Sequence, residues 1–340
     1  YPIYKNGAQL LNKINPTHIY ISHLHCDHFD KINLKKFKNK NVKIIIKNFK
    51  NKRLKNKVAE LGFKNIEELD EWKKYKLDQN LSIAIIPQIS TNSSNVADSI
   101  NFDLDTSIVI QSNISKKIIY NNVDNPLSIE DLIKVKKFIK KEFKNDIDIC
   151  CLPAGAAGEY PHCFTNIDRI QERKRVINSH LASLEKQIKV LGVKNFFHAG
   201  GIYTIYGKFH SLNKLIAAPK ESDIKNLLKK LKINYFNILG GNSLFLKDGI
   251  WKKIISKEFV LPTKTITINE SKKVKYFYEK NTLKFNSKLL DFQFLKSKEN
   301  YFKIIKNFNI SSSWLIDFYI YKNLVLNSQS KIDKDQSTLL

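Results

Sequence analysis

The sequence predicts an α/β protein built in layers, and three observations predict it. Apolar runs of strand length recur at Val42–Ile46, Leu81–Pro87, Thr106–Ser112 and Asp146–Leu152. Stretches with helical spacing of apolar residues separate them, as in Lys50–Leu61 and Ile167–Leu191. Alternation of the two periods marks strands and helices that pack as layers on a shared core. The composition is also that of a globular chain: 340 residues, 42% hydrophobic and 26% charged. That length suffices for one large domain or two smaller ones.

In chain order, residues 1–16 read as a short helix or loop closed by Pro16, and Thr17–Ile21 as a strand. Asp30 is placed to cap a helix through Asn33–Phe37. A polar loop, Ser90–Asp98, follows the Leu81–Pro87 strand. Thr106–Ser112 and Lys117–Asn121 alternate weakly, which predicts strands buried on both faces. Ser128-Ile129-Glu130-Asp131 is a capping box that opens a helix to Phe143. Val193–Phe197 is a strand, Ser222–Leu231 a helix and Tyr235–Leu239 a strand. Asp248-Gly249 is a turn signal between Leu244–Leu246 and Ile250–Trp251, which predicts a hairpin. Beyond Pro262 the pattern degrades. The expected organisation is one domain over 1–262 and a partly helical extension over 263–340 that ends in a loose tail.

Charge narrows the function classes. The formal net charge is +26, but of 58 basic residues only Arg53, Arg169, Arg173 and Arg175 are Arg. Readers of nucleic acid use Arg for bidentate contacts to bases and phosphates, so a dedicated nucleic-acid function is not expected. No apolar run reaches the roughly 18–20 residues that span a bilayer, and none opens the chain as a secretory h-region would. Four Cys, two of them adjacent, do not make a disulfide framework. The expected compartment is the cytoplasm.

The chemistry is concentrated in Ile19–Asp30. His23, His25, Asp27 and His28 place four ligand-type residues within six positions, in a chain with eight His. In an extended segment residues two apart share a face, so His23 and His25 can reach one cation, while Asp27 and His28 approach it after a turn. Imidazole and carboxylate together suit zinc or iron. A His-rich surface strand is the plainer alternative, and the density of ligands disfavours it.

This H-x-H-x-D-H signature resembles that of the metallo-β-lactamase superfamily. The resemblance implies an αββα sandwich with metals at one edge of the two sheets. The motif arrives by residue 23, earlier than that fold places it, so N-terminal strands are expected to lie outside this sequence. The resemblance also implies that Asp124, just past a strand, bridges or binds metal, and that His198, after another strand, completes the site. Asp105 is expected as a carboxylate that hydrogen-bonds a ligand His from behind. Dizinc hydrolases of the superfamily carry a further His after the first cluster, yet no His occurs between His28 and His162. A mononuclear site, or one completed by unusual ligands, is expected instead, with Asp27 as the acid–base group.

A second resemblance covers several blocks in order. Ala154-Gly155-Ala156-Ala157-Gly158-Glu159-Tyr160-Pro161, Phe164, Glu172-Arg173-Lys174, Asn122-Val123-Asp124 and Phe197-His198-Ala199-Gly200 are similar to CMP-N-acetylneuraminate hydroxylases and bacterial UDP-sugar hydroxylases. A small-residue turn feeding a helix with Arg and Lys is also a sensible phosphate cradle. Gly155, Gly158, Tyr160, His162, Arg173 and Lys174 are the expected substrate contacts. The resemblance implies one or two metal ions, iron before zinc, and oxygen chemistry fed by a Rieske [2Fe–2S] centre. Rieske ligation needs paired Cys–His motifs. The chain has no C-x-H with a partner C-x-x-H, which leaves three alternatives: a Rieske domain on an N-terminal part outside this sequence, a separate electron-transfer partner, or no such centre. The alternatives are a hydrolase of a phosphoester or lactone, and a basic nucleic-acid binder with a vestigial site.

Overall fold

The computed structural model describes residues 7–89, 105–155, 158–200, 203–238 and 242–255, and beyond them 269–270, 272–275, 292, 295–297, 299–300, 314–320, 326–333 and 338–339. The chain divides into two units, Tyr1–Val274 and Lys275–Leu340.

The first unit opens with α1 (Gly7–Ile14), β1 (His18–Tyr20), α2 (Lys31–Lys36), β2 (Lys43–Lys47), α3 (Arg53–Glu60) and β3 (Ile66–Leu69). The three strands form a parallel sheet in the order β1-β2-β3. Successive side chains on a strand face opposite ways, and the Ile run of β2 uses both. Ile44 and Ile46 pack with Leu34 of α2 and Leu54 and Val58 of α3. Ile45 turns the other way, onto a second sheet.

That second sheet contains β4 (Tyr75–Lys76), β5 (Leu81–Pro87), β6 (Thr106–Ser112), β7 (Ile118–Asn121), β8 (Ile149–Leu152), β9 (Asn195–His198) and β10 (Asn234–Tyr235). Its order is β10-β9-β8-β7-β6-β5-β4. Strands β7 to β10 run parallel, and β4 to β7 pair antiparallel. Ile83, Ile85 and Ile108 meet Ile45 and Leu69 between the sheets. Ala84, Val109, Tyr120, Cys150 and Phe196 face the opposite way. They pack on α4 (Ile129–Phe143), α5 (Arg169–Leu191) and α6 (Glu221–Lys230) through Val135, Ile139, Leu184, Ile188 and Leu228. The layers are therefore helix, sheet, sheet, helix. This is the αββα sandwich, and it follows from which residues the strands bury on each face.

Local signals set the boundaries. Asp30 caps α2, its Oδ1 accepting from the Asn33 backbone at 3.0 Å. Ser128 and Asp131 form the capping box of α4. Asp168 accepts from the Ile170 and Gln171 amides to start α5, and Gly192, at φ +71°, ends it. The adjacent thiols of β8 are core residues; burial pushes Cys151 up to about 12 and Cys150 well above its usual range. Two strands escaped the sequence pattern. In β3 only Leu69 is buried, and β4 is two residues long. The strand expected over Tyr235–Leu239 is confined to Asn234–Tyr235, and Leu239 lies outside the described residues.

After α6 the hairpin forms as expected from β11 (Ser243–Lys247) and β12 (Ile250–Ile254), turning at Asp248 and Gly249 with φ of 52° and 75°. Positive φ at both centres matches the strand twist. The second unit carries an antiparallel meander of β13 (Trp314–Ile320), β14 (Leu326–Asp333) and β15 (Thr338–Leu339). The sequence reading set its boundary at 262, where the structure divides after Val274. Among the described residues no helix is long and apolar enough to cross a membrane.

Candidate metal centre

The centre lies where the parallel strands end. β1 leads into Ser22 and His23, β7 into Asp124, β8 into Gly155, and β9 ends in His198. Asp105 joins from the same edge, because β6 runs antiparallel to β7 and starts there.

The His-rich loop is clamped at both ends. Tyr20 Oη donates to Thr106 Oγ1 at 2.5 Å, and Thr106 Oγ1 donates to the Ser22 carbonyl at 2.8 Å. This relay ties the end of the first sheet to the start of β6 in the second. Burial pushes the Tyr20 phenol well above its usual range, so it remains a donor. At the far end the Phe29 amide donates to the His25 carbonyl at 2.7 Å, the Phe29 ring is buried, and Asp30 starts α2. The strand itself ends at Tyr20. His23 and His25 therefore meet through a turn rather than along an extended segment, with ring centroids 4.5 Å apart.

Two groups of three ligand-type residues result, each with its ligand atoms within 4.8 Å of one another: His23, His25 and Asp105, and Asp27, His28 and Asp124. His23 is fully buried; its Nε2 stands 2.8 Å from His25 Nδ1 and 2.9 Å from Asp105 Oδ1. His28 Nε2 stands 2.9 Å from Asp124 Oδ2 and 3.6 Å from Asp27 Oδ2. Ser22 organises both rings from behind, with Oγ 2.9 Å from His23 Nδ1 and 3.4 Å from His28 Nδ1. A hydroxyl at the Nδ1 side leaves Nε2 of each ring free for ligation. Sequence reasoning missed Ser22, because strand alternation would turn it away from His23.

Asp105 is the test of fit. Its Oδ1 is buried and, despite the 2.9 Å approach to His23 Nε2, has no aligned hydrogen bond. An uncompensated buried carboxylate oxygen costs about 1–3 kcal/mol or more. Two imidazole nitrogens and that oxygen aimed at one another are what a cation would satisfy, so the residues fit a metal. Asp105 was expected behind a ligand His; it stands beside two of them, as a member of the group.

The Asp124 turn is held by a buried polar network. Tyr120 Oη donates to Asn122 Oδ1 at 2.7 Å, Asn122 Nδ2 to the Asn125 carbonyl at 2.7 Å, and Asn125 Nδ2 to Ser107 Oγ at 2.8 Å. Val123 between them sits at φ 53°, a conformation a β-branched residue adopts only when its surroundings impose it. Gly200, at φ +77°, passes so close that a Cβ there would stand 3.4 Å from Asp124 Oδ1.

The remaining expected site residues are placed as follows. His198 belongs to neither three-residue group; its Nδ1 is 2.8 Å from Tyr235 Oη, its ring stacks on that phenol, and burial lowers its pKa. His162 is buried, and burial lowers its pKa too. Tyr203 Oη lies 3.4 Å from His162 Nδ1 and donates to the Gly158 carbonyl at 2.7 Å, joining both ends of the Gly158–His162 segment. Tyr160 Oη donates to Glu172, which also pairs with Arg175 at 2.8 Å. Arg173 Nε donates to the Ile216 carbonyl at 2.9 Å, beyond a 3₁₀ helix (Gly207–Leu215), and Lys174 is exposed. The Ser90–Asp98 loop lies outside the described residues.

No known family model matches the chain. Over 60 residues, 18% of this chain, it is 35% identical to a Mycobacterium tuberculosis protein described as a Rieske 2Fe-2S iron–sulfur protein, a match that spans 12% of that protein. Similar solved structures include metal-dependent hydrolases and a diiron hydroxylase. Igni18, a metallo hydrolase of Ignicoccus hospitalis, has a TM-score of 0.46 at 15% identity, covering 75% of this chain and 87% of that one. CmlA, a diiron β-hydroxylase of Streptomyces venezuelae, has a TM-score of 0.43 at 13% identity, covering 70% of this chain and 44% of that one.

Two outcomes follow from this geometry. Asn122→Ala strands the Tyr120 hydroxyl and the Asn125 carbonyl, and is expected to cost about 1–3 kcal/mol in urea unfolding; a loss below about 0.5 kcal/mol would contradict the network's role. After loading with ferrous iron under argon, Asp105→Asn is expected to retain about one ion fewer per chain than the wild type by elemental analysis. Equal loading of the two would show that Asp105 is no ligand.

Proposed function

We propose that the chain is a metal-dependent oxidoreductase that hydroxylates a sugar nucleotide. His23, His25 and Asp105 would hold one ion, and His28, Asp124 and Asp27 a second. The observation that carries this reading is Asp105 with its orphaned Oδ1 beside two imidazoles. With it the two groups offer three imidazoles and three carboxylates in all. Oxygen-rich donor sets suit iron or manganese better than zinc. When bound, such ions polarise substrate oxygen atoms and, as iron, take part in one-electron and O₂ chemistry.

The chain's own residues do the rest. Ser22 fixes the His23 and His28 rings, and the Tyr20–Thr106 relay fixes the loop. Asp27, with 72% of its side chain exposed, stands at the solvent side, where it can accept a substrate proton. A Tyr235 hydroxyl that donates to His198 Nδ1 leaves that ring's proton on Nε2, where it can be held for a departing or incoming group. The exposed Lys174 and the Gly158–His162 loop are the candidates to meet the nucleotide phosphate. Electrons would come from a [2Fe–2S] centre, carried on a further part of the protein or on a separate one; the short stretch shared with a protein described as a Rieske protein supports such a centre without placing it.

One observation favours a second reading. The two groups abut, with the His23 and His28 ring centroids 4.4 Å apart. Two adjacent ions can clamp the attacking and leaving oxygens of a phosphoester or lactone.

A single assay separates the two. The iron-loaded chain, given a reductant, O₂ and CMP-N-acetylneuraminate or a UDP-sugar, is expected to consume O₂ and yield a product heavier by one oxygen. Asp124→Ala should lower that rate at least 100-fold. Hydrolysis of a phosphodiester or lactone with zinc or manganese, with no O₂ uptake on any sugar nucleotide, would replace the first reading by the second.

A further inference from the structure

The opposite edge of the seven-stranded sheet carries a cleft of about 690 Å³. Its walls come from the residues that precede β7, β8 and β9, from α4, and from the end of α5, with Gly249 of the hairpin at the rim. The metal centre lies past the other ends of the same strands. Four strand residues separate the two edges in β7, β8 and β9, roughly 13 Å at the usual rise per residue.

The electrostatics of the cleft are lopsided. Lys116, Lys117, Lys136 and Lys194 line it, against Asp146 and Asp148. Both carboxylates are already committed. Asp148 takes the Lys117 ammonium on one oxygen and the Ile118 amide, at 2.8 Å, on the other. Asp146 accepts from Lys140 at 2.9 Å. Among the described residues, Lys116, Lys136 and Lys194 therefore face the cleft with no carboxylate of their own. Lys136 is held in place by donating to the Val190 carbonyl at 2.9 Å. Gly192 leaves room for it, since a Cβ there would come within 3.0 Å of its Nζ. The field of Lys116 extends to Lys74, whose pKa is lowered by burial first and by Lys116 second. Among the described residues no aromatic side chain lines the cleft, so none of them would stack on a base.

We propose that this cleft binds a small polyvalent phosphate, a diphosphate or the diphosphate of a larger metabolite, through Lys116, Lys136 and Lys194. The volume falls in the range of small-molecule sites, about 300–1,000 Å³. Lysine ammonium groups serve phosphate as point charges with several donors each. Recognition is of charge and size, not of a base. The site is independent of the metal centre and does not rest on the function proposed above.

Calorimetric titration of the full chain with inorganic pyrophosphate tests this. The expected result is one saturable site per chain, weakened at least tenfold in the Lys116→Ala/Lys194→Ala double variant. Two controls locate it. Lys35→Ala/Lys64→Ala, which removes the same charge from the other side of the sandwich, should leave the affinity unchanged, and so should Asp105→Asn. Equal weakening in both lysine double variants would mean diffuse attraction to a chain of net charge +26 and would overturn the proposal. Loss of binding in Asp105→Asn with none in the cleft variant would assign the pyrophosphate to the metal centre, and absence of saturable binding would also refute it.

Discussion

The relay from Tyr20 through Thr106 to the Ser22 carbonyl is the constraint on which the candidate site depends. Each sheet alone offers half a ligand set: the His-rich loop follows β1, while Asp105 and Asp124 flank β6 and β7. Two buried hydroxyls, donating in sequence, fasten one half to the other at 2.5 and 2.8 Å. Apolar packing of Ile45 and Leu69 on Ile83, Ile85 and Ile108 brings the sheets together, but such burial is non-directional. The relay supplies the register, because the residue before its threonine is Asp105 and the residue after its acceptor is His23.

Much of the fold was legible because its signals are local. Asp30 and Ser128 mark helix starts by the chemistry of their own side chains. The Ile run of β2 announces a strand, and the weak alternation of β6 and β7 announces strands buried on both faces. The strands that were not legible, β3 and β4, have few buried side chains and are held by neighbours distant in sequence. Of the candidate site, the cluster from His23 to His28 could be read from spacing, whereas the carboxylate after β7 was only what the resemblance implied. Asp105 could be read only as an accessory, because no spacing rule tells a ligand carboxylate from one that supports a ligand. Ser22 was hidden by the assumption that the strand runs on to His25. His198 was legible as a strand-end imidazole, but its pairing with Tyr235 joins residues 37 apart in the chain and left no sequence signal.

The second sheet carries chemistry at both ends of its parallel strands. Glycine and small residues gather at the metal edge, where Gly200 lets the backbone approach Asp124. Lysines gather at the opposite edge, where helix α5 ends and its terminal carbonyls draw cations. The high positive charge of the chain is thus not spread evenly in its consequences. Many of the described lysines lie on solvated faces or in exposed pairs, which contribute little to stability, whereas a few line a cleft.

On the proposed reading, two ions share the six side chains at the strand ends. The most direct measurement is a crystal structure of the chain grown with ferrous iron, with anomalous data collected at the iron edge. Two peaks are predicted, one contacted by His23 Nε2, His25 Nδ1 and Asp105 Oδ1, the other by His28 Nε2, Asp124 Oδ2 and Asp27. A single peak, or Asp105 turned away from both histidines, would contradict it.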